Sequence, residues 1–222
     1  MESMNKIEAV LFDLDGTLLD SFPDFLASLE NINVKSSSKK IDGNVVRANV
    51  SDGSSQLLKL VFNIDKDDKD FDDYKRSFLN EYEKNILMYG NLFLGVSELL
   101  NFLLDKKIPY GIVTNKPRKY TEIILKKSSL LRQSKVVICC DDGFKSKPNP
   151  EGISHACNIL GVPNSKCIYI GDHENDLNAS LAAGTISGVC TFGYGFKEGL
   201  VVGDAESFES PAQILDFMKR NV

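Results

Sequence analysis

The sequence predicts an α/β fold: a parallel sheet covered by helices on both faces, with a small helical domain inserted after the first strand. Three observations carry this. Short, continuously apolar, β-prone runs recur along the chain, and stretches of helical periodicity lie between most of them. The first run is separated from the second by about a hundred residues, too many for an ordinary crossover.

The first strand is read at Ile7 to Phe12 and stops at Asp13. The others are read at Tyr110 to Val113, Val136 to Cys140, Cys167 to Ile170 and Ser187 to Thr191. Between them, Val96, Leu99, Leu100, Leu103 and Leu104 share one helical face. Ile123 and Ile124 mark a second helix, and Ile153, Ala156, Cys157 and Leu160 a third, closed by Gly161. A fourth is read at Leu177 to Ala183. Inside the gap, Pro23–Asn31, Ser54–Phe62 and Tyr74–Leu87 read as helices joined by polar linkers at Lys35–Lys40 and Asp65–Asp73. The expected division is therefore a core of residues 1–20 and 92–222 and a helical insert of 21–91. The Asp65–Asp73 run holds six aspartates, but the sixth and twelfth positions of a calcium loop starting there are Asp70 and Arg76, not glycine and glutamate. It reads as a solvated connector.

The 222 residues suffice for one domain with an insert, and 42% hydrophobic with 26% charged residues is globular composition. A net charge of −5 argues against a nucleic-acid or anionic-membrane partner, though a local cation cluster can still hold a small anion. No apolar run reaches the roughly 18 residues of a membrane span. The polar start Met-Glu-Ser-Met-Asn-Lys carries no signal-peptide pattern, so a cytoplasmic chain is expected. Cys139, Cys140, Cys157, Cys167 and Cys190 lack metal-ligand spacing and read as reduced thiols.

In a parallel sheet, chemistry gathers at the carboxyl ends of the strands. Asp13 and Asp15 follow the first strand and project the same way, a pair of anions that needs a shared proton or cation. Gly16 lets the backbone turn there. Thr114 and Asn115 end the second strand with a hydroxyl and an amide that can donate to phosphate oxygens. Lys147 is stiffened by Pro148 and Pro150, so its ammonium can be aimed. Asp172 and Asp176 follow the Cys167–Ile170 run at a spacing of four, which suits magnesium, a hard cation with oxygen ligands. Asp176 also fits a plain helix cap, while His173 and Glu174 read as loop surface.

The set Asp13-x-Asp15-Gly16-Thr17, Thr114-Asn115, Lys147-Pro148 and Gly171-Asp172-x-x-x-Asp176 resembles the haloacid dehalogenase superfamily of phosphohydrolases. The resemblance implies a Rossmann-like core with an inserted helical cap of the C1 type, Mg²⁺, and a phospho-aspartate mechanism on a small phosphorylated metabolite. It makes Asp13 the nucleophile, Asp15 the general acid and then base, and Lys147 the group that neutralises charge. Thr114 and Asn115 would hold phosphoryl oxygens, with Thr17 as a further substrate-binding residue. Metal ligands would be the Asp13 carboxylate, the Asp15 carbonyl and Asp172, with Asp176 as a further ligand or support. The motif Phe12 to Ser21 and Thr114-Asn115-Lys116-Pro117 resemble phosphoglycolate phosphatases. Val46 to Gly53 and Val137 to Asp142 resemble N-acetylmuramic acid 6-phosphate phosphatases. Arg47 and Ser51, in the insert, are candidates to bind the rest of the substrate, Arg47 as a carboxylate clamp. A phosphosugar mutase would use the same aspartates. A response-regulator receiver would place its acceptor aspartate after the third strand. Either a monomer or a homodimer is compatible with these readings.

Overall fold

The computed structural model describes residues 6–36, 40–196 and 203–222. Part of the expected Lys35–Lys40 linker and the first five residues of the polar start lie outside that set. The chain runs β1 (Ala9–Phe12), β2 (Leu19–Asp20), α1 (Phe22–Ser36), α2 (Gly43–Arg47), α3 (Ser54–Phe62) and α4 (Phe71–Asn85). It continues through β3 (Asn91–Leu92), α5 (Val96–Asp105), β4 (Tyr110–Val113), α6 (Arg118–Lys127) and β5 (Val137–Ile138). The last elements are α7 (Glu151–Leu160), β6 (Cys167–Gly171), α8 (Glu174–Ala183), β7 (Ile186–Cys190), β8 (Glu206–Phe208) and α9 (Pro211–Asn221).

Six strands form one sheet in the order β5-β4-β1-β6-β7-β8, every neighbouring pair parallel. Every residue of β1, β4 and β6 is buried, as a sheet packed on both faces requires. The two-residue alternation of β1 divides the core: Val10 and Phe12 join the larger apolar cluster, Ala9 and Leu11 the smaller one with Ile153, Ala156 and Cys157 of α7. The chain winds outward from β1 in one direction through β4 and β5, and in the other through β6, β7 and β8. The carboxyl end of β1 is thus a switch point, where α/β sheets open a crevice. Among the described residues no helix is long and apolar enough to cross a membrane. All five cysteines are free.

The expected strands are found, with the third reduced to Val137–Ile138. Helix α4 begins at Phe71 rather than Tyr74, because Phe71 is buried on the same face as Phe78 and Tyr82. Asp72 and Asp73 consequently sit in its first turn, where the helix dipole favours them, and not in the connector. Three short elements (β2, β3 and β8) and the five-residue α2 carry too little pattern for periodicity to reveal, whereas α9 is a further helix whose Ile214, Phe217 and Met218 share one buried face.

Helices α1–α4 leave the core at β2 and return at β3, which pair antiparallel as Leu19↔Leu92 and Asp20↔Asn91. Asp24, at the start of α1 and almost fully buried, clamps the return: its carboxylate accepts the backbone N–H groups of Leu87 (2.7 Å), Tyr89 (2.9 Å) and Gly90 (2.9 Å). A Cβ at Gly90 would lie 2.7 Å from an Asp24 oxygen, so glycine is needed for this approach. Asp24→Ala strands three donors at once and is expected to cost about 2–4 kcal/mol, read as a lower denaturation midpoint in urea. A midpoint equal to wild type would refute the clamp.

Candidate active site

Four loops at the carboxyl ends of the sheet bring the sequence candidates together. Asp13 follows β1, Thr114 and Asn115 follow β4, Lys147 lies in the loop after β5, and Asp172 follows β6. The Lys147 ammonium, only 7% exposed, donates to Asp13 Oδ1 at 2.6 Å, Asp176 Oδ1 at 2.6 Å and the Tyr169 hydroxyl at 2.8 Å. Burial alone would lower its pKa, but Asp13 and Asp176 outweigh that and hold the ammonium protonated above the usual lysine range. Burial pushes Asp13 up to about 6, against the pull of Lys147, so its carboxyl is ionised at neutral pH. Asp13 Oδ2 takes no hydrogen bond from the described residues and is the oxygen left for chemistry.

Lys147 is aimed by its backbone as well as by the prolines. The Asn115 amide grips it twice, accepting from the Lys147 N–H at 2.9 Å and donating to its carbonyl at 3.0 Å. This uses the Asn115 Oδ1 and one of its two Nδ2 protons, so Asn115 positions Lys147 and keeps a second Nδ2–H, besides its backbone N–H, for an oxygen in the cleft. Thr114 Oγ1 accepts from the Lys116 backbone N–H at 3.2 Å, which leaves its own proton free to donate into the cleft.

Asp13, Asp172 and Asp176 each place a carboxylate oxygen within 4.8 Å of the others, with all three residues buried. Burial, and then the Asp13 and Asp176 charges, raise the Asp172 pKa well above the carboxylate range. One ammonium among three clustered carboxylates leaves room for a further cation, and an all-oxygen donor set fits magnesium. Asp176 already uses both oxygens: Oδ1 on Lys147 and Tyr169 (2.9 Å), and Oδ2 on the His173 backbone N–H (3.0 Å) in a capping box. The helix cap is His173, read from sequence as loop surface, and Asp176 stands at the third position of α8, closing the capping box while it holds Lys147.

Asp172 is fully buried and held from several sides. Its Oδ2 accepts the Tyr194 N–H at 2.9 Å, the Gly195 N–H at 3.3 Å and the Ser51 hydroxyl at 3.2 Å. Thr17 donates to Oδ1 at 3.4 Å, so Thr17, expected on the substrate, supports Asp172 instead. Gly16 has φ +84°, and a Cβ there would lie 2.2 Å from Asp172 Oδ2. Its freedom thus serves the turn and the close packing of this carboxylate.

Asp15 departs from Asp13 in its partner. Its Oδ2 accepts from the Lys116 ammonium at 2.7 Å, while its Oδ1 is buried with no hydrogen-bond partner. Lys116 is only 7% exposed and sits 5.1 Å from the Phe25 ring centroid and 4.7 Å from that of Tyr82, rings of α1 and α4. It was not among the sequence candidates, although Lys116-Pro117 repeats the lysine–proline pairing that singled out Lys147-Pro148. Tyr169 was missed too, and its signal was a polar tip inside the apolar run of β6.

A cleft of about 470 Å³ opens over these groups, lined from the core by Asp13, Asp15, Thr114 and Lys147 and from the insert by Ser51 and Tyr82, among others. Arg47 is not part of its lining. Its guanidinium pairs with Asp20 at 3.4 Å and lies 4.8 Å from the Tyr194 ring centroid and 5.6 Å from that of Phe22. The expected carboxylate clamp is thus already satisfied by a carboxylate and two rings of the protein itself.

Residues 10–189 match the family model of haloacid dehalogenase-like hydrolases. The chain belongs to this family. It is a hydrolase whose relatives include the N-acetylmuramic acid 6-phosphate phosphatase of Pseudomonas putida, 32% identical over 189 residues, 85% of each chain. The phosphoglycolate phosphatase of Xanthomonas campestris pv. campestris is 36% identical over 187 residues, 84% of each chain. A predicted phosphoglycolate phosphatase from Haemophilus somnus shares the fold with a TM-score of 0.83 at 24% identity, over 96% of this chain and 99% of that one.

Proposed function

We propose that this hydrolase is a Mg²⁺-dependent phosphomonoesterase acting on a small acidic metabolite through an aspartyl-phosphate on Asp13. The observation that carries it is the Lys147 ammonium held at 2.6 Å from both Asp13 and Asp176, beside the third carboxylate of Asp172. Phosphoryl transfer asks mainly for positioning and charge neutralisation, and this arrangement supplies both. A magnesium ion, held by the Asp13 and Asp172 carboxylates and the Asp15 carbonyl, would neutralise charge on the transferred phosphoryl group. Asp176, with both oxygens engaged, keeps Lys147 in place.

Asp13 attacks phosphorus through its unbonded Oδ2 while Lys147 withdraws charge at Oδ1. The Thr114 hydroxyl and the Asn115 backbone N–H donate to phosphoryl oxygens. The P–O bond to the leaving group breaks, and Asp15 gives that oxygen its proton through the free Oδ1. Asp15 then takes a proton from water as it attacks phosphorus, releasing phosphate and restoring Asp13. Residues 21–91 act as a cap on the core of 1–20 and 92–222, since the insert supplies one wall of the cleft. Both esters named for the relatives bear a carboxylate besides the phosphate, which fits a cleft with cations on more than one wall.

The test is phosphate release from 2-phosphoglycolate and N-acetylmuramic acid 6-phosphate with Mg²⁺ and with EDTA. Release from at least one ester, lost in EDTA, is expected. Asp15→Asn should then slow turnover by ~10²–10⁴-fold, with phosphorylated protein detectable by mass spectrometry of the quenched reaction. No metal-dependent release from either ester would overturn the reading.

A further inference from the structure

Three lysines line the cleft. Lys116 is paired with Asp15, and Lys147 with Asp13 and Asp176. Lys75, from α4, has no carboxylate within ion-pair distance among the described residues. Its ammonium lies 5.6 Å from the centroid of the Phe71 ring. Asp52, the acidic cleft residue of the insert, faces His173 at 3.4 Å. An ammonium facing a cleft without a counter-ion is a place for an anion that the protein itself does not provide.

Its place along α4 sets a distance. Lys75, Leu79 and Tyr82 all line the cleft and are spaced four and three residues apart, one face of the helix. Seven residues rise about 10 Å. Helical side chains lean toward the helix start, and the contact with Phe71 shows Lys75 leaning that way, further from Tyr82. The Tyr82 ring in turn lies 4.7 Å from Lys116 Nζ, the group bound to Asp15. Tyr82 therefore marks the phosphoryl end of the cleft and Lys75 the far end.

We propose that Lys75 is a specificity residue that binds a carboxylate of the substrate on the order of 10 Å from the phosphoryl site. This rests on the phosphomonoesterase reading and narrows its substrate class. Phosphoglycolate carries its carboxylate one methylene from the ester oxygen and cannot reach both ends. An acidic sugar phosphate, with carboxylate and phosphate carried outward from different ring carbons, can.

The test compares wild type, Lys75→Met and Lys75→Arg on N-acetylmuramic acid 6-phosphate and N-acetylglucosamine 6-phosphate, which lacks the carboxylate. Wild type is expected to favour the acidic sugar by tenfold or more in kcat/KM. Lys75→Met should lose that preference through a higher KM for the acidic sugar at similar kcat, and Lys75→Arg should restore it. Lys75 is only partly buried, so both variants should fold. Wild-type turnover with a preference that Lys75→Met leaves intact would overturn the proposal while sparing the phosphatase reading. A wild type faster on phosphoglycolate than on either sugar would also overturn it. No metal-dependent release from any ester would instead overturn the phosphatase reading itself.

Discussion

Asp13→Asn is expected to abolish turnover, by on the order of 10⁴-fold or more, while the protein stays folded. The substitution keeps the shape of the side chain but removes the nucleophilic charge. Lys147 retains Asp176 at 2.6 Å and the Tyr169 hydroxyl at 2.8 Å, so the ammonium is not orphaned. The effect on stability has a definite sign. Asp13 has a folded-state pKa of about 6, above its ordinary 3.8. In metal-free buffer, ionising it costs the fold stability as pH rises from below 3.8 through about 6. The asparagine variant escapes that cost, so at pH 7.5 without metal it should melt at or above the wild-type temperature, with the gap closing near pH 4. Near-normal turnover would remove Asp13 from the nucleophile role. A variant that melts well below wild type at pH 7.5 would contradict the electrostatic account of the site.

Lys147→Met is expected to cost both activity and stability. It leaves Asp13, Asp172 and Asp176 clustered and buried without their ammonium. Removing one partner of a buried ion pair typically costs about 3–5 kcal/mol. Turnover should fall by on the order of 10²–10³-fold, the loss typical of removing one charge-stabilising group. The two lysine contacts also predict non-additivity. The double variant Asp13→Asn/Lys147→Met should be less destabilised than Lys147→Met alone, because one stranded charge is gone. Thermal melts of the four proteins in EDTA measure this cycle directly. Additive destabilisation would mean that the 2.6 Å contact between Lys147 and Asp13 carries no coupling energy.

Much of this was legible from residue order alone. The runs of β1, β4 and β6 are buried on both faces, so their apolar residues are continuous and easily seen. Asp13, Thr114 and Asp172 each sit directly after such a run, which is why they could be named before any distance was known. Contacts between residues far apart in the chain were not legible. Lys116 acquires its role from Asp15, 101 residues away, and from rings of two helices of the insert. Thr17 and Ser51 turned out to serve Asp172 across 155 and 121 residues.

Arg47 and Lys75 make the contrast plainest. From sequence alone, Arg47 was the candidate anion clamp of the insert, and Lys75 was not singled out. The fold spends Arg47 on Asp20, Tyr194 and Phe22, and leaves Lys75 lining the cleft with no carboxylate partner among the described residues. The sequence by itself determined the fold class and the chemical types of the candidate groups at the strand ends, because burial pattern and strand-end position are local properties of the chain. Which cations are free and which are already neutralised was decided only by the tertiary structure, because a charge is satisfied by whatever lies within a few ångströms in space.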